Sequence, residues 1–196
     1  MTIKRVRIVV ALSIALGLSN LAVAGVCVDT DVEHNDTPEI TGKKIEYALA
    51  AISDAEYLTK YPHCVAANMQ YLGMTHQKKA VPYLINLLDY KVQPQSFGKP
   101  LNAEIYPAVA AFIELGAPAV PSLIEVLAST DSGSVQSNNA IESLMDMRIF
   151  RDDLNKPLIM MKKAEKAETD PVRAARLESA IQNARNKWCR FVVCTE

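Results

Sequence analysis

Cysteine is scarce in this chain, four in 196 residues, which excludes a small scaffold built on disulfides. Charge of one sign is scarce as well. The 21 Lys+Arg balance 22 Asp+Glu to a formal net of −1, so the broad basic footprint of a nucleic-acid binder is missing. Near the N-terminus the apolar run from Ile8 to Leu18 is broken by Ser19-Asn20 and falls short of the ~20 residues that a membrane-spanning helix needs. Motifs that carry chemistry are absent too: there is no Gly-x-Ser-x-Gly, no Gly-rich phosphate loop and no pair of histidines at metal-binding spacing on one helix. What the chain has is apolar residue, 49% of the total, enough to close a core and too much for a disordered polymer. The length accommodates one large domain or two small ones.

Residues 1–24 read as a cleaved secretory signal. Lys4, Arg5 and Arg7 form a basic start, the apolar core follows, and Ala22-Val23-Ala24 supplies the small-x-small cleavage site. Lipid attachment at Cys27 is disfavoured because Val26, directly before it, is too large. Loss of the leader leaves 18 basic residues against 22 acidic ones, a mildly acidic chain that favours solubility over anionic surfaces. Export implies a periplasmic or secreted protein in an oxidising compartment, where Cys27, Cys64, Cys189 and Cys194 are expected to form two disulfides. Three pairings are possible. Cys27–Cys64 with Cys189–Cys194 is favoured, since each bond then clips one end of the chain. A metal site is disfavoured: Cys189 and Cys194 are spaced too widely, and His34, His63 and His76 are scattered.

The strongest pattern is internal repetition. Ala80-Val81-Pro82-Tyr83-Leu84-Ile85-Asn86-Leu87-Leu88 matches Ala119-Val120-Pro121-Ser122-Leu123-Ile124-Glu125-Val126-Leu127 at six of nine positions, 39 residues apart. Upstream of each lies a small-residue segment that ends at glycine, Val65 to Gly73 and Ala108 to Gly116. Each unit thus reads as two helices, with a left-handed glycine closing the first and proline in the first turn of the second. Val81, Leu84, Ile85 and Leu88 form one apolar stripe, as do Val120, Leu123, Ile124 and Leu127. A two-helix period near 40 residues indicates a helical solenoid. Weaker copies follow: Asp131 to Ser134 cap a helix over Val135–Met147, Pro157 opens another, and Asp170-Pro171 starts a third. Thr37–Lys60 reads as a single opening helix.

Leu115-Gly116-Ala117-Pro118-Ala119-Val120-Pro121-Ser122-Leu123-Ile124-Glu125-Val126-Leu127 and Asp170-Pro171-Val172-Arg173-Ala174-Ala175 resemble the HEAT-repeat family, specifically the short bacterial HEAT-like repeats related to phycobiliprotein-lyase repeats. The resemblance spans roughly residues 62–187. It departs from the family at Pro157, which is followed by Leu158-Ile159-Met160 without the usual spacing. It implies an all-α fold, an α-solenoid of about four antiparallel helix pairs, and protein–protein interaction without chemistry of its own. Bilin lyase activity is discounted, because an exported chain does not meet bilins inside photosynthetic cells. The expected organisation is a signal peptide at 1–24, an N-terminal extension at 25–40, a repeat domain at 41–188 and a disulfide-clipped tail at 189–196.

The expected function is a protein- or peptide-binding module that acts through its inner helical face and the 91–106 loop, not an enzyme, with no cofactor and no metal. The partner is expected in the envelope or outside the cell, with no nucleic acid and no stable membrane span after cleavage. The segment from Lys91 to Tyr106 is longer than helical connections usually are and carries Phe97 and Tyr106, with Tyr90 just before it. Aromatic anchors on such a loop suit an interface. Arg148 and Arg151, beside Asp152 and Asp153, could clamp an anion, although a solvated turn accounts for the same residues. Lys162 to Glu168 reads as a solubilising charged face. The alternative is an envelope enzyme or accessory factor using carboxylates near Glu104 or Asp152 and Asp153.

Overall fold

The computed structural model describes residues 27–28, 37–94, 100–153 and 155–188. The expected signal peptide, Phe97, Cys189 and Cys194 lie outside the described residues. Within them the chain is all-helical. The helices are α1 (Pro38–Ser53), α2 (Ala55–Lys60), α3 (Pro62–Met74), α4 (Val81–Asn86), α5 (Asn102–Ile105), α6 (Pro107–Leu115), α7 (Val120–Ser129), α8 (Val135–Met145), α9 (Asn155–Ala167) and α10 (Pro171–Trp188).

Capping and proline chemistry set most of these boundaries. The single helix expected over Thr37–Lys60 is two. Asp54 adopts an extended backbone, and its carboxylate accepts the Glu56 and Tyr57 N–H groups at 2.8 and 3.0 Å, so it ends α1 and caps α2. Tyr61-Pro62 opens α3 and Tyr106-Pro107 opens α6, each tyrosine being pushed out of helical geometry by the proline ring that follows. Helices α4 and α7 also begin alike. A short 3-10 turn, Lys78–Ala80 or Ala117–Ala119, runs into α4 or α7 with Pro82 or Pro121 in the first turn. Ser134 accepts the Ser137 N–H at the start of α8, and Asp170 accepts the Val172 and Arg173 N–H groups at the start of α10.

The two glycines expected to end the first helices behave differently. Gly116 has a positive φ of 73° and makes the turn after α6. Gly73 lies inside the last turn of α3, and the left-handed position falls instead on His76, with φ 52°. Around His76 the N–H of Gln77 bonds the Leu72 carbonyl and the His76 N–H bonds the Gly73 carbonyl, the paired closure of a Schellman turn. What Gly73 provides is room. A Cβ there would stand 2.5 Å from the Ala111 carbonyl oxygen of α6, so the two helices meet backbone to backbone.

The helices pack around one another, and α1 rests mainly on α3. The largest interface is that of α3 with α6, and α6 packs on α8; α4 meets α7, and α7 meets α8 and α10. One continuous core joins them, with Tyr71, Phe112, Met69, Leu84, Leu123 and Leu144 among the fully buried side chains. Helix α10 packs on both α7 and α8, while α9 packs on α10.

Cys27 and Cys64 are disulfide-bonded across 37 residues. The bond lays residues 27–28 against α3, where Val28 is buried and its N–H donates to Asn68 Oδ1 at 3.3 Å. The favoured partner of this pair, Cys189–Cys194, lies outside the described residues.

At the far end, Arg173 donates to both oxygens of Glu125 on α7 at 2.9 and 2.8 Å and through Nε to Glu168 at 2.8 Å. Arg176 reaches the Ser129 carbonyl at the C-terminus of α7, where a cation is favoured by the helix dipole. Arg173 holds the Glu125 and Glu168 carboxyls below the usual glutamate value of 4.5. Both therefore titrate lower in the folded chain than in the unfolded one. Their contribution is complete above that ordinary value and is lost as pH falls through the depressed folded values. Urea titrations across the acid range are expected to show a shallower acid limb for Arg173→Ala than for the native chain, and identical limbs would contradict this role.

Candidate functional site

A cleft of about 300 Å³ opens where α5, α8 and α10 meet. Its walls are Asn102 from α5, Asn138, Asn139, Ile141 and Glu142 from α8, and Asn183, Lys187 and Trp188 from the end of α10. The three elements converge for local reasons. Asn139 donates to the Leu88 carbonyl just beyond α4 at 2.6 Å, and Asn102 donates to Asn139 Oδ1 at 3.0 Å, so a chain of amides ties α5 to α8. On the other wall, α10 runs beside α8 in the same direction. Ser179 meets Ser132, Lys187 meets Glu142, and Trp188 meets Asp146.

Charges inside the cleft cancel one another. Lys187 Nζ donates to Glu142 Oε2 at 2.7 Å and stands 4.3 Å from the centroid of the Trp188 ring. The indole N–H donates to Asp146 Oδ1 at 2.9 Å. The low-polarity surroundings raise the Asp146 carboxyl above its ordinary value, and the indole N–H opposes that shift. What remains for a ligand is amide chemistry. Asn138 spends one donor on the Gly133 carbonyl, and the side chain of half-buried Asn183 makes no hydrogen bond among the described residues. An amide offers both a donor and an acceptor, so this lining suits a neutral polar group or a peptide segment.

Of the expected 91–106 segment, Asn102 lines the cleft; the other described residues singled out from sequence lie elsewhere. Tyr90 is half-buried and donates through Oη to the Leu58 carbonyl at 2.6 Å, and burial raises its phenol above the ordinary tyrosine range. Tyr106 is half-buried at the junction of α5 and α6, its N–H bonded to the Asn102 carbonyl. The described ends of the connection between α4 and α6 meet: Val92 is buried, and its N–H donates to the Ile105 carbonyl. Arg148 pairs with Glu114 at 2.6 Å, while Arg151 and Asp152 are exposed on the turn before α9. Asp153 Oδ1 accepts the Asn155 N–H, and Glu104 Oε2 accepts the Leu101 N–H at the start of α5. Each of these last two carboxylates has a structural task in its own turn. His63 and His76 are exposed.

Apart from Asn102, which falls in the 91–106 segment, sequence reasoning passed over the cleft residues, although two signals were present. Trp188 is the one tryptophan in the chain. Asn138 and Asn139 sit inside α8, where asparagine is a poor helix former and competes with the backbone, so their presence indicates a tertiary task. Among the described residues there is no group of three or more His, Cys, Asp or Glu side chains that could hold a metal ion. No protein-family model, no curated protein and no solved structure matches this chain.

Proposed function

We propose that this chain is an exported binding module built from HEAT-like helix pairs, and that it engages a polar segment of a protein or peptide partner at the cleft between α5, α8 and α10. The observation that carries the reading is the cleft's lining: self-neutralised charge, an indole and amides with spare hydrogen-bonding capacity. Such a surface orients a ligand by paired donors and acceptors. The repeat reading rests on the shared start of α4 and α7, each a 3-10 turn followed by proline. The Cys27–Cys64 bond supports an oxidising, periplasmic or secreted setting.

Substitution at Asn183 tests the reading without disturbing the fold, because this side chain makes no hydrogen bond among the described residues. Asn183→Trp would fill the cleft. Capture of partners from the envelope fraction is expected to fall more than tenfold with this variant, at unchanged helicity and Tm. Equal recovery by the native and filled chains would overturn the assignment. Removing residues 92–105 is a poorer test, since it also deletes buried Val92 and the Asn102–Asn139 bond.

A further inference from the structure

Helix α9 makes its substantial interface with α10 alone. Pro157, Leu158 and Met161 face that interface and are buried. The opposite stripe carries Lys156, Ile159, Met160, Lys163 and Lys166, at spacings that keep them on one side of the helix. All five are exposed, Ile159 at 59% and Met160 at 38%. None of the three lysines has an ion pair among the described residues. Two nearby carboxylates are withdrawn from the stripe: Glu165 is half-buried and Glu168 is held by Arg173. The alternating charges of Lys162 to Glu168 are thus sorted by the fold. On this stripe the cations stay outward beside two large aliphatic side chains, with exposed Asp152 and Asp170 beyond the two ends of the helix.

We propose that this face of α9 docks the protein peripherally on an anionic lipid surface, with the lysines on headgroup phosphates and Ile159 and Met160 at the acyl boundary. Charge complementarity favours this occupant. The cations are flexible lysines spaced around an apolar pair, where a helix lying in an interface needs them. An acidic protein partner would favour arginine forks and an aromatic anchor, and the stripe has neither. The chain as a whole carries an acidic excess once the leader is removed, so an anionic bilayer repels the remainder and orients the α9 end toward itself. Among the described residues no single helix is long and apolar enough to cross a membrane.

The test is flotation of the chain as purified after export with vesicles of phosphatidylcholine alone or containing a quarter phosphatidylglycerol. Binding to the anionic vesicles only is expected, falling as the Debye length shrinks from about 10 Å at 0.1 M salt to about 3 Å at 1 M. The variant Lys156→Gln/Lys163→Gln/Lys166→Gln should lower partitioning about a hundredfold, and Lys-to-Arg exchange at the same sites should preserve it. Ile159→Ser/Met160→Ser should also weaken binding at unchanged charge. Circular dichroism and Tm confirm that each variant folds. Absence of binding, equal binding to neutral vesicles, retention by the glutamine variant, or indifference to Ile159→Ser/Met160→Ser would each overturn the proposal. Capture of an acidic polypeptide in place of vesicles would also overturn it.

Discussion

Gly73→Ala is expected to destabilise the protein by about 2–3 kcal/mol and lower Tm by about 5–10 °C. On helix propensity alone the change should stabilise α3 by about 1 kcal/mol. Packing reverses the sign. The added Cβ would lie 2.5 Å from the Ala111 carbonyl oxygen and 2.8 Å from its Cα, and both atoms belong to the backbone of α6. A flexible side chain could swing away; a helix backbone in the middle of a core cannot. The two helices would have to separate along the largest interface in the fold, with Phe112 and Leu72 losing contact on either side. Gly42 on α1 serves as the control, because nothing stands within 4 Å of the corresponding Cβ position. Gly42→Ala should be neutral or stabilise by up to about 1 kcal/mol. Equilibrium urea unfolding of both variants checks the pair, and equal effects would mean that the α3–α6 approach is not as close as described.

Loss of the Cys27–Cys64 bond carries the other large effect. Closing 37 residues of chain removes enough unfolded-state entropy to contribute about 4 kcal/mol on the chain-entropy account. The folded state also depends on the bond. Residues 27–28 are held beside α3 by it, Val28 fills a buried position, and the Val28 N–H gives fully buried Asn68 its hydrogen-bond partner at Oδ1. The amide nitrogen of Asn68 has no partner among the described residues, so releasing the segment leaves that side chain without either bond until water enters. Cys27→Ser/Cys64→Ser, or reduction of the native chain, is expected to cost about 3–4 kcal/mol. Unfolding midpoints with and without reductant measure this directly. A midpoint indifferent to reductant would show that the clip contributes nothing.

Much of the architecture was legible in the sequence because helix ends obey local chemistry. Pro82, Pro121 and Pro171 stand where proline suits the first helical turn, Ser134 and Asp170 cap as their side chains allow, and Gly116 takes a positive φ. The misread positions are those where tertiary contacts decide. The role of Gly73 depends on Ala111, a residue 38 positions away, and nothing in its own neighbourhood separates close approach from a helix cap. Asp54 divides one periodic stretch into two helices, a break that apolar periodicity does not register. The candidate site was the least legible part. Asn102, Asn139 and Trp188 converge only when α5, α8 and α10 pack together, whereas the aromatic residues that stood out on the connecting segment, Tyr90 and Tyr106, are half-buried in the fold.

The central claim is recognition at the cleft, and crosslinking from within it is the most direct measurement. A photoreactive side chain placed at Asn183, which lines the cleft, is compared with one at Tyr83, an exposed position on α4 outside it. After irradiation in cells, residue 183 is expected to yield a discrete adduct with a protein or peptide that residue 83 does not yield. No adduct at 183, or the same adducts from both positions, would contradict the account.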